Sequence, residues 1–301
     1  MPAKTGIRVQ HGRCITDLDS RFHGNDELVR LTTSQTQLAM SDCKEEIIKV
    51  RGRNVKLLRG GAGAPVIFLH DAFCPAWLPL HDRLASEFEI FVPIHPGFAG
   101  SEDGFDQFET MEDLVIHYLD LCETLKLERP ALAGASFGGW IAVEWAIRYS
   151  ERLRCLILID ALGLRLPEAP VADVLNLDGP ALRRTLFNDP KTPLALETLP
   201  DTPKVDGIVG TILSRRAFAR FAWQFPDDPR LLRYLYRARL PSLILWGARD
   251  SYVPIAHANA YHHGIANAEF AAIAGAGHLP HLETPEECAK IVLDFLRRQQ
   301  R

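Results

Sequence analysis

The sequence predicts an α/β fold, a mostly parallel sheet with helices on both faces and an inserted helical cap. Two observations predict it. From residue 44 onward short apolar runs of strand length alternate with segments of helical period, the pattern of a sheet covered on both sides. Between Gly163 and Ala238 the alternation stops in a proline-rich stretch that shows no strand and turns helical at "RRAFARFAWQF". With 47% apolar and 24% charged residues in 301, the chain can bury a large core.

The elements follow in order. "EEIIKV" and "NVKLLRG" read as a strand pair, and the turn "GGAGAP" leads into a buried strand from Val66 to His70. "EIFVP" is the next strand. Thr110 with Asp113 is a capping box that opens a helix with Leu114, Tyr118, Leu121 and Leu125 on one face. "ALAGA" is a buried strand, and the helix from Phe137 to Tyr149 is apolar on nearly every side, so it belongs in the interior. "LRCLILID", "SLILW" and "AEFAAI" complete the strands. Thr284, Pro285 and Glu287 supply the N-cap, first-turn proline and capping box of a last helix. The core is thus 40–162 with 239–301, and the cap 163–238.

The first 39 residues are polar and aperiodic. Their "LDSRFHGNDE" resembles the translated product of a dispersed repeat found between bacterial genes. Met40 is therefore the expected start, with 1–39 a disordered leader or an artefact of the assigned start.

A formal charge of −4 gives no electrostatic case for nucleic acid or an anionic membrane as partner. The pairs Arg215-Arg216 and Arg297-Arg298 read as solvated helix faces. No apolar run spans a bilayer, and no hydrophobic signal core follows the N-terminus. Six cysteines without paired spacing suggest reduced thiols and a cytoplasmic location rather than a disulfide framework or zinc site. "GGAGAP" precedes a strand, not a helix, so it is no dinucleotide fingerprint. His262-His263 diverge, and no metal motif or P-loop occurs. The expected ligand is a small-molecule substrate, with no metal and no cofactor.

One motif carries chemistry. Gly134-Ala135-Ser136-Phe137-Gly138 joins a buried strand to a buried helix and fits the G-x-S-x-G nucleophile elbow. The turn is so sharp that Gly134 and Gly138 leave no room for a Cβ, and the serine is strained outward. A serine hydroxyl is a poor nucleophile unless a base takes its proton and a third group orients the base. Those partners are expected in the order acid, then histidine. Asp250 follows the strand in "LILWGARDSYVP", and His278 lies in the glycine-rich loop of "AIAGAGHLPHLETPEE". Asp160, at the end of "LILID", competes for the acid. His281 competes for the base, but its place beyond Pro280 suits packing or hydrogen bonding.

From Met40 to the end, the elbow, "HPGFAGSE", "WGARDSYVP" and "GHLPHLETPEE" occur in the order of the α/β-hydrolase superfamily, which the chain resembles. The resemblance implies a Ser136–His278–Asp250 triad and an oxyanion hole made by the backbone N–H groups of Ala72 and Phe137. The superfamily usually has His-Gly after its third strand; here Asp71 follows His70. Asp71 either closes an Asx-type turn on its own loop or opposes anionic substrates. Asp71, Phe73, Trp77, Phe187, Phe218 and Phe221 are candidate pocket residues. The reading is a serine hydrolase of a small or medium, largely uncharged carboxylic ester. The alternatives are a carbon–carbon bond hydrolase of a diketone-type acid, or a catalytically weak ligand-binding homologue.

Overall fold

A computed structural model of the chain describes residues 43–202 and 205–300, so the expected leader, Met40 and Cys14 lie outside the described residues. The chain opens with β1 (Lys44–Val50), β2 (Arg53–Gly60), β3 (Ala64–Leu69), α1 (Pro79–Ala85), β4 (Phe88–Pro93) and α2 (Met111–Leu125). β5 (Ala131–Ala135), α3 (Phe137–Tyr149) and β6 (Leu156–Ile159) follow. The insertion contains β7 (Gly163–Leu164), α4 (Gly179–Leu186), α5 (Pro193–Thr198), α6 (Val205–Ala222), β8 (Asp227–Asp228) and α7 (Leu231–Tyr234). The chain then returns through β9 (Ser242–Gly247), α8 (Ala256–Gly264), β10 (Ala268–Ile273), α9 (Pro280–Glu283) and α10 (Pro285–Arg298).

Eight strands form one sheet in the order β1-β2-β4-β3-β5-β6-β9-β10. β1 and β2 are antiparallel to their neighbours, and every pairing from β4 to β10 is parallel. β5, β6 and β9 are buried along their whole length, as strands with both faces covered must be. After β3 the chain steps outward to β4, then back across to β5. The crevice beyond the carboxyl ends of β3 and β5 is therefore the switch point at which open α/β sheets bind ligands.

Local signals mostly hold. Thr110 caps α2, its Oγ1 accepting the Asp113 N–H while Asp113 accepts the Thr110 N–H at 2.7 Å. α3 is buried almost throughout, and its one buried charge, Glu144, is neutralised by Arg148 and accepts from the Trp140 indole. Arg216, Arg297 and Arg298 lie on solvated faces, paired with Asp106, Glu87 and Glu269. Two readings are corrected. The insertion is not strand-free, since β7 and β8 pair in parallel across it. Thr284 does not cap α10: its hydroxyl donates to the Pro280 carbonyl at 3.1 Å, because α9 runs directly into α10. Above the start of α3, Phe218 and Phe221 of α6 pack on Phe137, with ring centroids 5.3 and 5.9 Å away. No helix among the described residues is long and apolar enough to cross a membrane.

Candidate active site

Ser136 sits between β5 and α3 at φ +52°, in the left-handed region that a serine occupies only under constraint. The constraint is the closeness of the surrounding backbones. A Cβ on Gly134 would lie 2.3 Å from the Gly138 carbonyl oxygen, and one on Gly138 would lie 2.1 Å from that of Leu69. The second contact is with the end of β3, so the elbow is wedged against the segment that leads to Ala72. Ile159 accepts the Ser136 N–H at 2.9 Å and fixes the turn to β6.

The three residues expected in sequence to act together are brought together. The Ser136 hydroxyl lies 2.8 Å from His278 Nε2, and His278 Nδ1 lies 2.8 Å from Asp250 Oδ2. The other Asp250 oxygen accepts the N–H groups of Tyr252 and Val253 at 2.8 and 2.9 Å, so its orientation is set by its own loop. With Nδ1–H donating to Asp250, Nε2 is left to accept the serine proton. The His278 N–H donates to the Leu186 carbonyl at 2.8 Å, and the Tyr252 ring meets the imidazole edge to face at 4.6 Å. Sequence reading missed Glu283, which accepts the Gly277 and Asn188 N–H groups at 2.8 Å each and so ties the His278 loop to the insertion. It also missed the contact of Gly247 with the Gly277 carbonyl, where a Cβ would lie 1.8 Å away. The glycine in "WGARD" is the signal that could have found it.

Ala72 and Phe137 are the residues expected to supply the oxyanion donors. Phe137 opens α3, so its N–H is a first-turn donor without an intrahelical acceptor. Ala72 lies inside a tightly held turn. Asp71 Oδ1 accepts the N–H groups of Phe73 and Cys74 at 2.6 and 2.7 Å, the Asx-type turn, and Oδ2 accepts from His281 at 3.0 Å. Burial works against the Asp71 charge, yet His281 and the Phe73 N–H hold its acidity stronger than that of an ordinary carboxylate. His70 donates from Nδ1 to the Asp71 carbonyl at 2.6 Å and accepts the His95 N–H at 3.0 Å. Burial drives the His70 pKa down to about 4, which keeps the ring neutral. His281, three residues beyond His278, therefore clamps the loop after β3 to α9. His281→Ala is expected to cost about 3 kcal/mol, because it strands a buried carboxylate without its partner. Urea unfolding of the variant measures it, and a loss under 1 kcal/mol would contradict the clamp.

The expected pocket residues divide. Phe73 and Ala72 line a cavity of about 440 Å³ with Pro75, Leu182, Leu199 and Ser214, and the Phe73 ring lies 6.5 Å from that of His278. Phe218 and Tyr252 line a second cavity of about 290 Å³. Phe221 faces a third, between α3 and β8. Three expected pocket residues line none of these cavities. The Asp71 carboxylate is spent on its own loop and on His281, away from the cavity. Trp77 packs against Gly60 and His81 and donates to Asp82 at 2.7 Å. Phe187 is buried in the core, beside Gly277. Asp160, Asp250 and His278 are the donors among the described residues close enough to share an ion, their atoms within 4.8 Å of one another. Both His278 nitrogens are engaged by Asp250 and Ser136, which suits proton transfer.

Residues 66–291 match the model of the alpha/beta hydrolase family, and the chain belongs to that family. It is 25% identical over 277 residues to the 2-hydroxymuconate semialdehyde hydrolase of Pseudomonas sp. strain CF600, covering 81% of this chain and 91% of that protein. Two solved structures share the fold. One is the 2-hydroxy-6-oxo-6-phenylhexa-2,4-dienoate hydrolase of Rhodococcus sp. strain RHA1 (TM-score 0.71, 19% identity, 85% of this chain and 99% of that one). The other is a thermophilic esterase from Thermogutta terrifontis (TM-score 0.66, 23% identity, 86% of this chain and 100% of that one).

Proposed function

We propose that this hydrolase is a cytoplasmic, cofactor-independent serine esterase that cleaves a small or medium, largely uncharged carboxylic ester. The observation that carries the reading is the unbroken hydrogen-bond line Ser136–His278–Asp250 at 2.8 Å per step. His278 takes the proton of Ser136 as its oxygen attacks the carbonyl carbon, and Asp250 stabilises the imidazolium without accepting that proton. The N–H groups of Ala72 and Phe137 receive the oxyanion. His278 then protonates the leaving alcohol, and a water deprotonated by His278 releases the acid. The 440 Å³ cavity beside Phe73 takes the substrate, and residues 163–238 act as its cap.

Carbon–carbon bond hydrolysis is the second reading, supported by the similarity to the 2-hydroxymuconate semialdehyde hydrolase. Against it stand Leu279-Pro280 after His278, where such enzymes usually carry an aromatic residue.

A fluorophosphonate probe tests the reading. Stoichiometric labelling of Ser136 is expected, lost in Ser136→Ala and His278→Ala, with ester turnover falling at least 10³-fold in each. A folded protein that resists the probe would instead favour a ligand-binding role. Faster turnover of a vinylogous diketone acid than of any ester would favour the second reading.

A further inference from the structure

Asp160 plays no part in the chemistry above, yet it lies within its reach. It directly follows β6 at φ +45° and is fully buried. Its Oδ1 accepts the Gly247 N–H at 2.9 Å, while Oδ2 has no donor among the described residues. The carboxyl lies within 4.8 Å of both an Asp250 oxygen and a His278 nitrogen. Two carboxylates this close, shut away from water, do not both stay ionised. Hydrogen bonds decide which keeps the charge. Asp250 receives three donors, from Tyr252, Val253 and His278, whereas Asp160 receives one. Given a proton, the Oδ2 of Asp160 changes from an acceptor without a donor into a donor facing Asp250.

We propose that Asp160 and Asp250 hold one negative charge and one proton between them, the proton resting on Asp160, and that Asp160 becomes the acid partner of His278 when Asp250 is neutralised. Burial, the Asp250 charge and their mutual hydrogen bond all push the Asp160 pKa well above the carboxylate range. Two other titratable groups bear on it. Glu283 of α9 adds a like charge, and the Cys288 thiol of α10 is kept neutral by burial. In Asp250→Asn the Asp160 proton passes to solvent, and the negative charge re-forms within 4.8 Å of His278. This last consequence rests on the hydrolase reading; the shared charge does not.

The test counts charges by electrophoretic mobility at neutral pH, in wild type, Asp160→Asn, Asp250→Asn and the double variant. Wild type and both single variants are expected to migrate with the same net charge, and the double variant with one negative charge fewer. If Asp160→Asn by itself loses a negative charge, Asp160 was ionised and the proposal fails. If Asp250→Asn loses one, the charge does not relocate and the takeover fails. Asparagine at 160 can keep the Gly247 contact through its amide oxygen; should the double variant not fold, the two single variants decide. In ester turnover, Asp250→Asn is expected to lower kcat/KM about 10²-fold and the double variant about 10⁴-fold. Equal losses would overturn the takeover. A wild type that cleaves no ester would overturn only the hydrolase reading.

Discussion

Gly138→Ala is expected to abolish turnover and to lower stability by about 3 kcal/mol, which would make it among the most damaging single-methyl additions in this chain. The new Cβ would fall 2.1 Å from the Leu69 carbonyl oxygen and 2.6 Å from that of His70. Both are backbone atoms held in the sheet or beside it, so no rotamer change relieves the clash. Either α3 lifts off β3, carrying Ser136 away from His278, or the end of β3 moves and takes Ala72 with it. Both outcomes separate the nucleophile from the proposed oxyanion donors, and a displacement of about 1 Å costs on the order of 10²-fold in rate. Gly210→Ala is the control. That glycine lies in α6 with open space where a Cβ would go, and alanine there is expected to stabilise by about 0.5–1 kcal/mol. Chemical unfolding of both variants, with probe labelling of Ser136, measures the contrast. A Gly138→Ala protein as stable and as reactive as wild type would refute the wedge between β3 and α3.

Acidification is expected to unfold the protein cooperatively near pH 5. Burial lowers the pKa of His70 to about 4, of His81 to about 3 and of His117 to about 4, and takes that of His95 well below its ordinary value. In the unfolded chain these rings titrate near 6.5. Below that pH the unfolded state binds protons that the folded state refuses, so stability falls as pH drops from about 6.5 toward 4. Four histidines at about 1.4 kcal/mol per pH unit each give a slope of up to about 5.6 kcal/mol per unit, comparable with the whole stability of many domains. Urea titrations at stepped pH measure it, and a stability flat from pH 6.5 to 5 would refute the argument. His117 offers a sharper version. It is buried against Phe108 and Tyr118, and neither ring nitrogen has a partner among the described residues. His117→Phe is expected to reduce the slope by about 1.4 kcal/mol per unit without harming the fold at pH 7.

Much of this molecule is legible in the residues themselves. The elbow is readable because its chemistry is local: five consecutive residues between an apolar strand and an apolar helix specify a turn that presents one hydroxyl. Asp250 and His278 are readable because each follows a strand in a loop, and an open α/β sheet gathers such loops at one end. The strands of the large sheet were legible from their apolar runs, whereas β7 and β8, two residues each, are too short to leave one. Thr284 was misread because its cap signature is sound by itself, but the preceding turn of α9 offers its hydroxyl the Pro280 carbonyl instead.

Tertiary structure decided what depends on distant partners. Asp71 looked like a departure in the loop after β3; its meaning came from His281, 210 residues away in sequence and 3.0 Å away in space. Trp77, near a motif, and Phe187, in the cap, read as candidate pocket residues; in the structure Trp77 packs on His81 and Phe187 is buried beside Gly277. Asp160 and Asp250 are two aspartates just past two strand ends, and in the sequence only context and spacing before the histidine favour Asp250. The count of donors around each carboxylate ranks them, because in a site without water those hydrogen bonds determine which oxygen pair can carry the charge. The sequence by itself determined the fold and the three residues drawn together at its switch point. Only the folded chain determined which hydrogen-bond donors each of their side chains meets, since solvent exclusion and neighbours from separate loops exist nowhere else.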